Sequence, residues 1–163
     1  MVLTTHIVFG SVGAQLMTSN PYLGFLAGFV SHFILDAVPH WDYTLKSRAY
    51  NPKNRLDVDM KIGSNFVRDL FLIGLDFCLG FTIAITYFYL TATPFGLVAL
   101  LGGIGAVFPD FLQFVYFKFK TGPLLSLQRF HVWIHSKISL NNRPTLGIIS
   151  QAVLIIALLL IVN

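Results

Sequence analysis

Charge is scarce in this chain, and two residue types that often build soluble active sites are nearly missing. Charged residues make up 11% of its 163 residues, against roughly 25% in a typical soluble domain. Glutamate is absent, so all seven acidic residues are aspartates. The single cysteine, Cys78, lies in an apolar run, which excludes a disulfide framework and a cysteine-based metal site.

Two catalytic signatures are absent as well. The sequence contains no Gly-x-Ser-x-Gly nucleophile elbow and no glycine-rich loop followed by lysine. These absences argue against a serine hydrolase of the elbow type and against nucleotide hydrolysis on a phosphate-binding loop.

Long runs without charge fill much of the chain. Three runs carry at most one charged side chain each: 70–92, 95–117 and 145–162. Each approaches the roughly 20 residues with which a helix crosses a bilayer. Two shorter apolar runs are 3–17 and 22–38. We therefore predict an all-α, polytopic membrane helix bundle with four or five membrane helices, forming a single integral membrane domain over residues 1–163.

Positive charge is concentrated in two long connections. Residues 39–63 and 118–143 hold ten of the eleven lysines and arginines, whereas the short connections carry none. By the positive-inside rule, both long connections face the cytoplasm. We predict a multi-pass protein of the cell inner membrane, with a retained N-terminus on the inside. The net charge of +4 then reflects topology and anionic lipid, and we expect a membrane lipid partner and no nucleic acid. The oligomeric state stays open.

Histidine and aspartate gather at the cytoplasmic ends of these runs. His32 and Asp36 are four residues apart in SHFILDAVPHWD, and His131 and His135 repeat that spacing in SLQRFHVWIHSK, which we predict as a short interfacial helix. Two donors one helical turn apart share a face and can share an ion. The topology brings all five histidines to one side of the membrane. The predicted metal ligands are His6, His32, Asp36, His40, Asp110, His131 and His135.

The donor types and their number define the predicted site. Nitrogen and carboxylate donors suit zinc, with manganese or iron as alternatives. Counting Asp42, eight candidate donors exceed the four of one tetrahedral zinc, so we predict one or two ions. Asp110 and Asp42 are the candidate catalytic carboxylates, because a carboxylate left free can take a proton from water. Arg129 and Lys137 are the candidates for holding a substrate phosphate.

Other polar and aromatic residues have simpler interpretations. Asp76 lies within an apolar run, where a carboxylate needs a partner, and Asp69 shares its helical face. Both could reach the site from beneath, but we expect them to accept structural hydrogen bonds. Trp41, Tyr43 and Trp133 are expected to anchor the chain at the membrane interface.

Four segments together resemble a known family. THIVFG, GFVSHFILDAVPHWD, GAVFPDF and RFHVWIHS are similar in order and content to bacterial membrane-bound metal-dependent hydrolases, which include the LexA-regulated inner-membrane hydrolases. The resemblance extends more distantly to zinc-dependent phospholipase C and P1-type nucleases, where His32 and Asp36 match a His-x-x-x-Asp pair. Two departures are Gln113, where the family often has a second aspartate, and Arg129-Phe130-His131, where it usually reads His-Arg-Gly.

The resemblance and the donor pattern imply a hydrolase. We expect a membrane-embedded, metal-dependent enzyme that cleaves a phosphoester of a lipid at the cytoplasmic interface, with the lipid class of substrate implied by the family. Bound ions would lower the pKa of a water and polarise the substrate. Two alternatives remain at this point: a divalent metal-ion transporter, and a non-enzymatic membrane scaffold with a structural metal.

Overall fold

The computed structural model describes residues 1–51 and 53–162. The elements in chain order are α1 (Leu3–Met17), α2 (Pro21–Asp36), β1 (Arg48–Tyr50), β2 (Val58–Met60), α3 (Ser64–Leu90), α4 (Leu97–Phe119), α5 (Gly122–Ile134) and α6 (Pro144–Ile161). The chain is mostly helical, as predicted, and α5 is the expected short helix. The all-α class is incomplete, because β1 and β2 pair as an antiparallel hairpin in the first long connection.

Three of the described helices are long and apolar enough to cross a membrane. They are α3, α4 and α6, with mean hydropathies of 1.9, 1.7 and 2.3. The prediction of four or five membrane helices is wrong. Helices α1 and α2 have 15 and 16 residues, which is about 22–24 Å of helix and short of the roughly 30 Å hydrocarbon core. Much of the apolar surface of α1 is buried inside the protein, including Ile7, Val8 and Val12.

The turn between α1 and α2 makes these two helices antiparallel neighbours. Asn20 caps α2, because its Oδ1 accepts hydrogen bonds from the backbone N–H groups of Tyr22 at 2.9 Å and Leu23 at 3.3 Å. Pro21 follows at the first helical position, where its fixed φ favours the helix and no donor is lost. The N-terminal end of α1 consequently lies beside the C-terminal end of α2.

Helix α4 packs against both α1 and α2 through glycines. A Cβ added at Gly10 would lie 2.5 Å from the Gly102 carbonyl oxygen, and one at Gly28 would collide with the same atom. Small residues of this kind let helix backbones approach closely. Gly10 follows His6 by four residues and Gly28 precedes His32 by four, so the faces that pack on α4 also carry the histidines.

The β-hairpin packs against the C-terminal end of α4. Val58 and Met60 are buried in an apolar cluster with Tyr116, while the Lys118 ammonium pairs with Asp59 at 2.7 Å. The first long connection, predicted as a loop, thus contains an ordered hairpin. This hairpin packs against the C-terminal end of α4 and the N-terminal end of α3.

Candidate metal centre

Asp36 lies at the middle of the histidine cluster. It is the last residue of α2 and is 2% exposed. Its carboxylate lies 3.2 Å from Nε2 of His6, 3.2 Å from Nε2 of His32 and 2.9 Å from Nε2 of His131. Helices α1, α2 and α5 thus each supply one imidazole to the same carboxylate.

The donor atoms form three overlapping groups that could hold a metal ion. Within each group the ligand atoms lie within 4.8 Å of one another. The groups are His6, His32 and Asp36; His32, Asp110 and His131; and Asp36, His40 and His135. Their members are the seven predicted ligands, brought together from α1, α2, α4, α5 and the segments that follow α2 and α5. This convergence is the main feature of the site.

Backbone carbonyls orient three of the imidazoles. Nδ1 of His32 lies 2.8 Å from the Ala106 carbonyl oxygen, and Nδ1 of His40 lies 2.7 Å from that of Val38. Because a carbonyl oxygen can only accept, these Nδ1 atoms carry a proton, and in the neutral form of each ring Nε2 is the electron-pair donor. His135 makes a longer contact of the same kind at 3.3 Å. Metal-bound histidines are commonly held in this way.

His6 provides an independent test of whether these residues suit a metal. Its ring is fully buried, and neither nitrogen makes a hydrogen bond among the described residues, although Nε2 lies 3.2 Å from an Asp36 oxygen. The ring stacks on His32 with centroids 4.2 Å apart. A buried polar atom without a partner is costly, and most such atoms in proteins are satisfied. A cation near Nε2 would satisfy it, so the arrangement fits a metal.

The segment after α5 fastens the remaining donors. The Ser136 backbone N–H donates to the Asp36 carbonyl at 2.7 Å, and the Leu140 N–H donates to the His40 carbonyl at 2.9 Å. These bonds hold residues 136–140 against the end of α2. As a result, the rings of His40 and His135 lie 4.7 Å apart, centroid to centroid.

The two candidate catalytic carboxylates are the more open members of the site. Asp110 and Asp42 are 34% and 39% exposed, whereas Asp36 is 2% exposed. An oxygen of Asp110 lies 3.8 Å from Nε2 of His32, and one of Asp42 lies 3.3 Å from Nε2 of His40. Both carboxylates therefore border the donor cluster and also face outward.

The amino group of Met1, just before α1, pairs with two carboxylates of the site. The Met1 amino nitrogen lies 2.9 Å from Asp36 and 2.9 Å from Asp42. Burial alone would raise the pKa of Asp42, but its contact with the His40 ring and the Met1 ammonium lower it below its usual range. Burial lowers the pKa of His135. At neutral pH Asp42 is thus a carboxylate and His135 a neutral imidazole, the forms that bind a cation.

Asp76 and Gln151 hold the start of α1 in place. The Asp76 carboxylate accepts from the Leu3 N–H at 2.7 Å, the Thr4 N–H at 3.0 Å and the Thr4 hydroxyl at 2.6 Å. The expected structural role of Asp76 is confirmed. Gln151 was not predicted: its Oε1 accepts from the Val2 N–H at 3.2 Å. Its only signal in the sequence is a lone amide in an otherwise apolar run.

The remaining predicted residues lie outside the cluster. Asp69 accepts from the Ser47 N–H and hydroxyl, each at 2.7 Å, so its structural role is also confirmed. Arg129 and Lys137 are exposed, and among the described residues neither forms an ion pair or a side-chain hydrogen bond. These two cations lie on either side of His131 and His135 in the sequence, but among the described residues no ion pair or side-chain hydrogen bond joins them to the metal-binding donors.

The centre lies some distance from the nearer ends of the candidate membrane helices. Asp76 is twelve residues into α3, Asp110 is nine residues from the end of α4, and Gln151 is seven residues into α6. At 1.5 Å per residue, these helices continue about 10–18 Å beyond the centre. The centre is therefore recessed among helices and is not placed at their tips.

Comparison of the chain with family models, curated proteins and solved structures finds no match in any of the three. Membership of the hydrolase family stays a prediction from the four short segments. The structure itself shows buried groups of histidine and aspartate that are able to hold a metal, and three helices long and apolar enough to cross a membrane.

Proposed function

We propose that this protein is a membrane-embedded, metal-dependent hydrolase that cleaves a phosphoester of a lipid. The observation that carries the proposal is the convergence of seven nitrogen and carboxylate donors, from six parts of the chain, in three overlapping groups. Such a donor set suits zinc, in one or two ions, with manganese or iron as alternatives. The members would be His6, His32, Asp36, His40, Asp110, His131 and His135.

The protein side chains would divide the work of hydrolysis. A divalent ion in such a site supplies a more acidic water and polarises the substrate oxygen. Asp110 and Asp42 are exposed enough to meet water, and either could accept the proton that an attacking water loses. Asp36 is too buried for that task and would hold the imidazoles in place. The carbonyl contacts of His32 and His40 would keep their rings in the metal-binding tautomer.

Exposed aromatic side chains beside the centre support a lipid substrate. Phe111 follows Asp110 and is 55% exposed, and Phe130 precedes His131 and is 43% exposed. Trp133, 71% exposed, lies one helical turn from Phe130 with ring centroids 5.9 Å apart. A substrate with a polar head and an apolar tail could place its tail along these rings. Arg129 and Lys137 would then hold the phosphate as it approaches.

The proposed location is the cell inner membrane, with the centre opening to the cytoplasm. The support is the length and apolarity of α3, α4 and α6 and the positive charge in the two long connections. Single cysteines at Lys53 and Thr121, in a Cys78→Ser background, should both be labelled by an impermeant maleimide from the cytoplasmic side only. Labelling of the two positions from opposite sides would contradict this topology.

The first experiment measures metal in protein purified without chelator. Wild-type protein should contain at least one equivalent of zinc or a similar ion by inductively coupled plasma mass spectrometry. His32→Ala combined with His135→Ala should remove most of it, because each of the three groups loses a donor. Asn54→Ala, an exposed change in the hairpin turn, is the control and should keep the metal. Equal metal in the double variant and the control would refute the ligand assignment.

The second experiment measures hydrolysis of lipid phosphoesters. Lipid phosphoesters of two kinds, phosphatidic acid and a prenyl phosphate, are incubated with protein in mixed micelles, and released phosphate is measured with and without added zinc. Activity should require the metal and should be lost in the double histidine variant. Full metal occupancy without hydrolysis of either class of lipid would favour a structural metal instead.

A specific observation keeps metal transport as the second candidate. Ser11 and Gln15 lie on α1 beyond His6, and the Ser11 hydroxyl and Gln15 Oε1 are buried without partners among the described residues. Polar side chains leading away from a metal site into a membrane protein are the pattern expected of an ion path. Zinc uptake into proteoliposomes tests this. Uptake by wild-type protein that is lost in the double variant Ser11→Ala with Gln15→Leu would favour transport. Uptake no greater than that of empty vesicles would exclude transport as a function.

A further inference from the structure

A basic groove lies away from the metal centre, between the β-hairpin and the start of α3. Its volume is about 410 Å³. Three of its lining residues, Lys46, Arg48 and Lys61, are exposed cations. Over the part of the chain that the structure describes, none of the three forms an ion pair. The groove has no part in the hydrolysis proposed above.

Hydrogen bonds at Ser47 explain why these cations lie along one groove. Ser47 lies between Lys46 and Arg48 and is 4% exposed. Its N–H and hydroxyl both donate to the buried Asp69 carboxylate at 2.7 Å. Lys46 and Arg48, on either side of this anchored residue, are both exposed, so the bonds of Ser47 hold the two cations at the surface. Lys61 joins them through its own N–H, which donates to the Ser47 carbonyl at 2.9 Å.

The nearby acidic residues do not neutralise the groove. Asp57 and Asp59 pair with Lys120 and Lys118 of α4, at 2.9 Å and 2.7 Å. Asp69 is buried and pairs with Arg68 at 2.8 Å. The carboxylates of this region are thus engaged elsewhere, and the groove keeps an uncompensated charge of three cations.

The surroundings of the groove favour a lipid as its ligand. It adjoins Ser64, the first residue of the candidate membrane helix α3. Ile62, which also lines it, is 79% exposed, and Val67 on the first turn of α3 is 67% exposed. Exposed apolar residues next to cations are expected where a protein meets both headgroups and acyl chains. The exposed apolar residues beside the groove would contribute nothing to the binding of a soluble anion.

We propose that the groove of Lys46, Arg48 and Lys61 binds the headgroup phosphate of an anionic phospholipid. The lipid would bridge the hairpin and α3 and hold this end of the protein at the headgroup level. The inference rests on the membrane placement in the proposed function and is independent of metal binding and of hydrolysis.

The test measures lipid binding to full-length protein treated with chelator, so that metal-dependent hydrolysis cannot interfere. Delipidated protein in a neutral detergent is titrated with fluorescent phosphatidylglycerol or phosphatidylcholine. Phosphatidylglycerol should bind more tightly. Lys46→Gln with Lys61→Gln should weaken its binding about 30-fold, since a basic residue near an anionic headgroup contributes about fivefold. Arg48 is left unchanged because its guanidinium lies 5.9 Å from the centre of the Phe117 ring and supports packing.

Lys53→Gln with Arg55→Gln is the matched control. It removes the same charge from exposed positions of the same connection, outside the groove, and should change the affinity less than threefold. Equal weakening in both double variants would mean that diffuse charge attracts the lipid and would overturn the proposal. Equal binding of the two lipids by wild-type protein would also overturn it, as would displacement of the label by millimolar glycerol phosphate, which would indicate a soluble anion. Unchanged metal content in Lys46→Gln with Lys61→Gln would separate this groove from the metal centre.

Discussion

The substitution Asp76→Asn tests how the start of α1 is held beneath the metal centre. The Asp76 carboxylate accepts two backbone N–H bonds and one hydroxyl bond from Leu3 and Thr4, at 2.6–3.0 Å. It acts as a cap supplied by a different helix. His6 follows Thr4 by two residues, so a shift of the first turn of α1 moves an imidazole of the centre.

The size of the effect follows from these bonds. Asparagine keeps one acceptor oxygen for Thr4 and turns an amide N–H₂ toward the Leu3 N–H, so at least one charged hydrogen bond is lost and two donors face each other. A hydrogen bond to a charged group is worth about 1.5–3 kcal/mol, and an unsatisfied buried donor costs a similar amount. We expect the free energy of unfolding to fall by about 2–4 kcal/mol. Metal affinity should fall about 10- to 100-fold, as when a supporting residue of a metal site is removed.

Two assays measure these quantities. Unfolding is followed by helix content during titration with sodium dodecyl sulfate in mixed micelles, and metal affinity by competition with a chromophoric chelator. Asp57→Asn is the matched control, because it makes the same chemical change at an exposed surface ion pair and should leave both quantities unchanged. If Asp76→Asn behaves like Asp57→Asn in both assays, Asp76 does not position α1, and the account of how His6 reaches the centre is wrong.

Three other predictions follow from the site. Asp110→Asn should keep the protein folded in detergent while lowering metal content or phosphate release at least tenfold, and full metal with full activity would show that this carboxylate has another role. Gly28→Ala should destabilise the bundle by about 1–3 kcal/mol because its Cβ would collide with the Gly102 carbonyl, whereas Gly13→Ala, with open space around it, should not. In metal-free protein the free energy of unfolding should fall as the pH drops below about 6.5. Burial lowers the pKa of His135 in the folded state, so the unfolded chain takes up the proton first. In His135→Gln the slope of this free energy against pH should be smaller, and an unchanged slope would assign the effect to other groups.

The sequence by itself determined the chemistry of the site and where its parts lie along the chain. Helical spacing places His32 with Asp36 on one face and His131 with His135 on another, and a chain of low charge gives few other candidates for a polar cluster. The apolar runs at 70–92, 95–117 and 145–162 were sufficient to identify α3, α4 and α6 as candidate spans, because length and composition alone decide that property.

Only the structure decided where α1 and α2 end, which at 15 and 16 residues leaves them too short to be candidate spans, and how the donors meet. Residues 3–17 and 22–38 look like short membrane helices in sequence, but whether an apolar face meets lipid or protein depends on its neighbours. The backbones of α2 and α4 can come into contact because Gly28 has no side chain, since a Cβ there would collide with the Gly102 carbonyl. No local pattern predicts this contact. The same holds for Asp76, whose partners Leu3 and Thr4 lie more than 70 residues away. Contacts between residues so distant in sequence arise from packing, whereas local spacing can only say which side chains share a face.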